Sequence, residues 1–428
     1  MKRNYFVLGL ILLTFFVISF LTNIIGPLVP DIIRSFSLSL TTVALLPFAF
    51  FIAYGVMSIP SGILVEKYGE KKVMAAAFFI SFLGAMLFVF TPGYFSYMCS
   101  LFLIGAGMAM LQVAINPLLR VAGGEEHFAF NSVLAQFFFG LASFLSPLVY
   151  SYLVLNIGKP EGDASPLISF FESIVPAALP WISLYWIFAI VSLLMVIVIA
   201  CIKIPKVELK GDEKVGGMET NIALLKNPTV GLYFLAIFCY VGLEQGVANW
   251  MSEFLHTYHQ IDPKTGGATA VSWFWGMLTI GTLLGLLLLK FMDSKKVLVI
   301  FTAAAIISLV FALFGSATIA IWAFPMIGFF ASVMWSIIIS LALNSMDKHH
   351  GALSGILITG ICGGAVIPLI IGWIGDFTSL KTGMIFIFVM LGYILSLGFW
   401  AKPLVQNETI SLRKKKNISH KKLVTNEQ

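Results

Sequence analysis

Charge is what this sequence has least of. Asp, Glu, Lys and Arg make up 11% of its 428 residues, against 59% hydrophobic residues; an ordinary soluble domain carries about 25% charged residues. That shortage excludes a water-soluble fold of this length, because a core of that size would have no polar shell to cover it. Cysteine is scarce too. Cys99, Cys201, Cys239 and Cys362 each sit inside or at the end of an apolar run, without the paired loop spacing of a disulfide framework or a metal site. The six histidines, His127, His256, His259, His349, His350 and His420, fall near the ends of apolar runs, in loops or in the tail. Their placement argues against a metal or haem centre in the membrane, and no cofactor is expected beyond a coupling proton or sodium ion.

What the chain has instead is long apolar runs. Crossing a hydrocarbon layer of ~30 Å takes about 20 apolar residues in a helix. Such runs fall at about 5–29, 42–65, 73–91, 94–119, 128–155, 181–202, 228–252, 268–289, 297–317, 318–343, 352–375 and 382–401. They are continuous in Leu, Ile, Phe and Ala, so they read as helices and not as the alternating strands of a barrel. The first run follows Met1-Lys2-Arg3 as a signal peptide would, but it is too long for an apolar signal core and is expected to be retained.

The sparse charges are sorted by side. With the N-terminus inside, every Lys and Arg falls on the cytoplasmic side except Arg34, Lys159, Lys264 and Lys381, as the positive-inside rule requires. Both termini are then cytoplasmic, in a multi-pass inner-membrane protein. The net charge of +6 needs no nucleic-acid partner; Arg413-Lys414-Lys415-Lys416 reads as a tail drawn to anionic lipid.

Residues 204–226 are polar and rich in Lys, Glu and Gly, and divide the chain into six-helix halves at 1–203 and 227–402, with a basic tail at 403–428. Between 156 and 180, the apolar stretch Leu167 to Leu179 is too short to span and is expected along the outer interface. The halves repeat. Gly62 to Lys72 (G-I-L-V-E-K-Y-G-E-K-K) is echoed by Gly285 to Lys296 (G-L-L-L-L-K-F-M-D-S-K-K), and both Gly62/Gly285 and Gly105/Gly328 are separated by 223 positions. Parallel six-helix repeats place a substrate near the midplane between them.

The 62–72 segment resembles the loop signature of the major facilitator superfamily, G-x-x-x-[D/E]-[R/K]-x-G-[R/K]-[R/K], with Glu70 departing from the usual basic residue. The resemblance implies a cytoplasmic gate: close packing at Gly62 and Gly69, and a charge cluster of Glu66, Lys67 and Lys71 with Arg120 as partner of Glu66. Gly105 to Pro117 (G-A-G-M-A-M-L-Q-V-A-I-N-P), Phe238 to Gln245 (F-C-Y-V-G-L-E-Q) and Gly363 to Asp376 look like helices 4, 7 and 11 of the fucose:proton symporter family, which includes L-fucose permease and glucose/galactose transporters. Asn131 and Gln136 fit that family's polar positions in helix 5. Two departures stand out. L-fucose permease has a glutamate at the position of Gln112 and an aspartate near Gly26, both tied to proton coupling and sugar binding; Gln112 can hydrogen-bond a hydroxyl but cannot carry a proton.

Glu244 is the acid that lies well inside an apolar run, whereas Asp31, Glu66, Glu253 and Asp376 fall near run ends. An intramembrane acid is a functional candidate by default. Glu244 is either the coupling site or a structural acid satisfied by Gln245 or by Thr22 and Asn23 of helix 1. For a sugar, which takes planar hydrogen-bonding groups and an aromatic face, the candidates are Asn23, Gln112, Asn116, Asn131, Gln136, Gln245, Asn249, Trp273 and Trp335. Gln112 and Asn116 share a helix face, as do Gln245 and Asn249. Trp335 matches Gln112 under the 223-residue repeat. Trp273 and Trp275 cannot share a face, and Trp181, Trp186, Trp400 and Trp250 read as interfacial belt residues.

These observations predict an all-α transporter of twelve helices, expected to be a monomer, that imports a monosaccharide (a hexose or 6-deoxyhexose) with a cation. An exporter of amphipathic or drug-like solutes is the alternative within transport. A membrane enzyme or sugar sensor is the alternative outside it. No loop carries a nucleophile-base pair, metal-ligand spacing or phosphate-cradling glycines, and the tail is short for a signalling domain.

Overall fold

A computed structural model describes residues 5–123, 128–158, 165–202, 204, 223–346 and 350–403. The linker at 204–226 and the tail at 403–428 lie almost wholly outside them. Twelve helices are long and apolar enough to cross a membrane, and no strand occurs among the described residues. In chain order they are α1 (Tyr5–Phe36), α2 (Leu40–Tyr68), α3 (Glu70–Phe90), α4 (Tyr94–Leu119), α5 (Asn131–Asn156), α6 (Pro180–Cys201), α7 (Pro228–His259), α8 (Pro263–Phe291), α9 (Ser294–Phe314), α10 (Ala317–Leu343), α11 (Leu353–Phe377) and α12 (Leu380–Trp400). The short stretch between α5 and α6 forms a helix, Pro166–Ile174, which buries Ile168 and Phe171 and exposes Leu167 and Phe170.

Local chemistry starts several of these helices. Ser39 caps α2 by accepting from the Thr42 N–H at 3.2 Å, Asn227 caps α7 through Thr229 at 2.9 Å, and Asp293 caps α9 through Lys295 at 3.0 Å. Each satisfies a donor that the first helical turn leaves without an intrahelical partner. Three helices are broken near their middles. In α1 the helix stops at Thr22 and resumes at Ile25, in α10 it is interrupted at 332–333, and in α11 a 3-10 turn occupies Gly360–Cys362. Broken helices at membrane depth are tolerated where they are buried in protein or line a cavity.

The repeat is built into the packing. A Cβ on Gly105 would collide with the backbone carbonyl of Phe50, and one on Gly328 with that of Phe274, so α4 lies against α2 as α10 lies against α8. The repeated lysines also act alike. Lys71 Nζ donates to the Ala200 carbonyl at 2.9 Å and Lys295 Nζ to the Ala401 carbonyl at 2.7 Å, each closing the last turn of its half, where a cation is favoured by the helix dipole.

The halves meet along three seams: α2 on α11, α5 on α8, and the second segment of α1 on α7. With the helices alternating in direction, one end of the bundle carries Lys67, Lys71, Lys72, Lys290, Lys295 and Lys296; we call it the basic end and the opposite one the far end. The hydrogen bonds described between the halves lie in the far part of the bundle. Ser272 Oγ donates to the Phe144 carbonyl and Ser151 Oγ to the Lys264 carbonyl, both at 2.5 Å, and Asp376 accepts from the start of α2. The glycine contacts across the seams, Gly26 on Ala248, Gly372 on Leu40, Gly140 on Thr279 and Gly55 on Cys362, run from there to mid-bundle. The far end is closed.

Several expectations are corrected. Helix α1 runs to Phe36 and α7 to His259, so Asp31 and Glu253 are inside helices and not at their edges. Asp31 is buried, accepting from Tyr150 at 2.6 Å and pairing with Arg34 at 3.4 Å. Trp181 and Trp250 are buried and not in an interfacial belt: Trp181 donates to Ser35 at 3.2 Å within a cluster of Phe88, Tyr97 and Tyr185, and Trp250 donates to the Pro368 carbonyl at 3.0 Å. Gly69 has open space around it; what it supplies is a positive φ of 81° that ends α2.

Candidate functional site

The site forms where the two halves face one another at mid-bundle. On the N-terminal side, Tyr54 of α2 donates its hydroxyl to Gln112 Oε1 of α4. This bond fixes the amide and leaves Gln112 Nε2 as the group available to a ligand. Gln112 is half-buried and Asn116, one turn nearer the basic end, is exposed. A face that passes from half-buried to exposed toward one end is what a cavity open at that end produces.

On the C-terminal side, Glu244 of α7 is half-buried. Its carboxylate lies beside the Tyr240 hydroxyl, one turn earlier, and accepts from Gln245 Nε2 at 3.5 Å. The Tyr240 ring packs on Trp335 of α10 with centroids 5.9 Å apart at 53°. The repeat-related positions Gln112 and Trp335 thus each meet a tyrosine, one on α2 and one on α7. Gly364 of α11 joins the two sides: a Cβ there would stand 3.1 Å from Gln245 Cγ and 3.3 Å from Phe51 Cδ1 of α2.

The other residues singled out from sequence are distributed as follows. Gln245 and Asn249 are both buried, and Asn249 Nδ2 donates to the Gln245 carbonyl at 2.8 Å. Asn23 is buried away from Glu244; its Nδ2 donates to Ser143 Oγ at 2.8 Å, joining α1 to α5. Thr22 is occupied by the Ile18 carbonyl, so of the three groups expected to satisfy Glu244, Gln245 alone does so. Asn131 is buried near the basic end, its Nδ2 without a hydrogen-bond partner among the described residues, and Gln136 is exposed. Trp273 packs edge-on against Phe144 of α5 at 5.5 Å, on the seam between the halves, and Trp275 is buried.

At the basic end, Gly62 is buried and Glu66 and Lys67 are exposed; Lys67 lies over its neighbour Tyr68, 5.2 Å from the ring centroid. Lys71 is engaged within its own half by Ala200. The side chain of Arg120 lies outside the described residues. Sequence reasoning missed Tyr54 and Tyr240. Tyr240 lies one turn before Glu244 on the same face of α7, the signal that points to it; Tyr54 is on α2, which carries none of the sugar candidates, and its partner Gln112 is 58 residues away.

Two repeated six-helix halves, broken helices around a polar mid-bundle site, and closure at one end define a secondary transporter that works by alternating access. A family model described as Major Facilitator Superfamily matches residues 11–367, from α1 into α11. The chain belongs to that superfamily; it is a multi-pass membrane transporter and not an enzyme. It is 29% identical over 412 residues to a glucose/galactose transporter of Brucella abortus, covering 93% of this chain and 94% of that one. It is 26% identical over 392 residues to the L-fucose-proton symporter of Escherichia coli, covering 88% of each. The crystal structure of the Escherichia coli fucose:proton symporter superposes with a TM-score of 0.66 at 22% identity, over 92% of this chain and 98% of that one, which shows the shared fold.

Proposed function

We propose that this transporter carries a monosaccharide, a hexose or 6-deoxyhexose, into the cytoplasm together with a cation. The observation that carries the reading is what each half brings to mid-bundle. The N-terminal half brings the Gln112 amide held by Tyr54, and the C-terminal half the Tyr240 and Trp335 rings beside the Glu244 carboxylate. A sugar ring has hydroxyls for the first and an apolar C–H face for the second. The names of the relatives, transporters of glucose and galactose or of L-fucose, support the same substrate class. The lysines of the basic end make that end cytoplasmic by the positive-inside rule, so with its far end closed the chain faces inward; we place it as a monomer in the inner membrane. Glu244 carries the coupling role, with a proton or sodium as its ion.

Uptake by purified protein in sealed vesicles tests the reading: concentrative accumulation of a monosaccharide supports it, and extrusion of amphipathic dyes without any sugar uptake overturns it. Binding is read more directly by tryptophan fluorescence with a panel of monosaccharides. Trp335→Phe is expected to remove most of the sugar-dependent change, because its ring is the indole at the site. Tyr54→Phe is expected to raise the sugar KM about tenfold with little change in maximal rate, the size of one hydrogen bond that orients a ligand-binding group. A Tyr54→Phe protein whose KM equals the parent's would remove Gln112 positioning from the scheme.

A further inference from the structure

The far-end seam holds a contact that the substrate site does not use. Asp376 closes α11 in the C-terminal half, and α2 begins at Leu40 in the N-terminal half. Asp376 Oδ1 accepts from the Leu40 N–H at 2.8 Å and Oδ2 from the Thr41 N–H at 2.9 Å, with the Ser39 and Thr41 hydroxyls beside it. Ser39 supplies the ordinary cap of α2 through Thr42. The carboxylate from the other half takes the two remaining first-turn donors, at the positive end of the helix dipole. Helix α12 begins in the same manner, with Ser379 capping Thr382 at 3.2 Å, but its further acceptor, the Tyr258 hydroxyl 3.1 Å from the Lys381 N–H, comes from its own half. The packing that brings Asp376 to α2 depends on small residues: a Cβ on Gly372 would stand 2.6 Å from the Leu40 carbonyl oxygen, and one on Gly375 2.8 Å from Leu40 Cδ1.

We propose that Asp376 is the latch of the far-end gate, a detachable second cap that holds α2 of one half to α11 of the other and must let go for the site to open there. Its location suits release. Asp376 is exposed, so water replaces the carboxylate at the Leu40 and Thr41 N–H groups when the halves part, and the Ser39 cap keeps α2 helical. Among the described residues the one ion pair is Arg34 with Asp31; Asp376 is held by N–H and hydroxyl donors, and its bonds form and break without stranding a buried charge. The proposal rests on alternating access and not on the identity of the transported solute.

The test reads opening without any substrate. Ser272 is fully buried in the α5–α8 seam, its hydroxyl on the Phe144 carbonyl; a cysteine there, in a protein whose four native cysteines are replaced, reacts with a membrane-impermeant maleimide applied on the far-end side only when the seam opens. Asp376→Asn is expected to speed labelling about fivefold, the effect of losing one helix-cap contact, and Asp376→Glu to leave it near the parent rate. Leu40→Pro deletes the donor instead of the acceptor, at the first helical position where proline is tolerated; measured against Leu40→Ala, which loses the same seam side chain but keeps the N–H, it is expected to match the effect of Asp376→Asn. It decides the matter if the Asn variant fails to insert. Parent-rate labelling of an inserted Asn variant overturns the latch, as does a Pro variant that labels no faster than the Ala variant or a Glu variant that labels as fast as the Asn variant. A protein that shows these shifts yet transports no sugar leaves the latch standing and removes only the substrate reading.

Discussion

Glu244→Gln is expected to abolish accumulation of substrate against its gradient, bringing the inside-to-outside ratio to about one, while exchange of labelled for unlabelled substrate continues within about tenfold of the parent rate. The reasoning starts from the carboxyl's surroundings. Glu244 lies near the middle of α7, a helix of 32 residues, and a bare charge at that depth costs about 3 kcal/mol or more. Its neighbours are hydrogen-bond donors, Tyr240 and Gln245, and no ion pair reaches it among the described residues. Of the groups expected of a structural acid, Gln245 reaches it at 3.5 Å, while those of α1 are taken elsewhere, Thr22 by its own helix and Asn23 by Ser143. On the proposed coupling role, a bound cation or a proton completes what the Gln245 hydrogen bond begins, and its coming and going is the property a coupling group needs. Glutamine keeps the shape and the neutral form and removes the exchange of charge. Accumulation in vesicles under an imposed proton or sodium gradient, measured beside counterflow, separates the two processes; gradient-driven accumulation by the glutamine variant at the parent level would sink the coupling role.

The parts of this molecule that were legible in the sequence are those that depend on hydropathy and on backbone spacing. Twelve runs give twelve helices because each must satisfy its own backbone in lipid, and the repeat showed because Gly105 and Gly328 meet the same demand, a carbonyl at Phe50 or Phe274 where no Cβ fits. Polar residues were harder, since a helix pattern says that Asn23 lies among apolar neighbours but not which helix it turns to. The same limit hid Asp31, whose partner Tyr150 is 119 residues away, and Asp376, whose partners are 335 and 336 residues away. Tryptophan misled in the opposite sense: near a run end it reads as a belt residue, yet Trp181 and Trp250 have buried acceptors in Ser35 and Pro368. Helix length shifted the reading as well, because polar residues at the far ends of α1 and α7 continue as helix beyond the apolar run.

Two glycine substitutions of the same size are expected to fail in different ways. Gly105→Ala places a methyl group against the Phe50 carbonyl inside the N-terminal half, where the Phe50 carbonyl carbon and Cα stand 3.0 and 3.1 Å from the new Cβ. Backbone cannot rotate aside as a side chain can, so α2 and α4 must separate along their length in every conformation of the transporter. An overpacking cost of about 1–3 kcal/mol falls on folding itself, and detergent-extracted protein is expected to melt several degrees below the parent or to be lost from the membrane; Gly328→Ala does the same in the other half. Gly26→Ala instead meets the Ala248 carbonyl, with its carbon at 3.0 Å and Asn249 Cα at 3.4 Å. That contact crosses from α1 to α7, between the halves, and exists only while the far end is shut. Each half folds without it, so the melting temperature is expected to stay near the parent's while the far end opens and a thiol at position 272 becomes reactive. A Gly26→Ala protein that melts as low as Gly105→Ala would show that the α1–α7 contact holds the fold together, and would remove it from the moving parts.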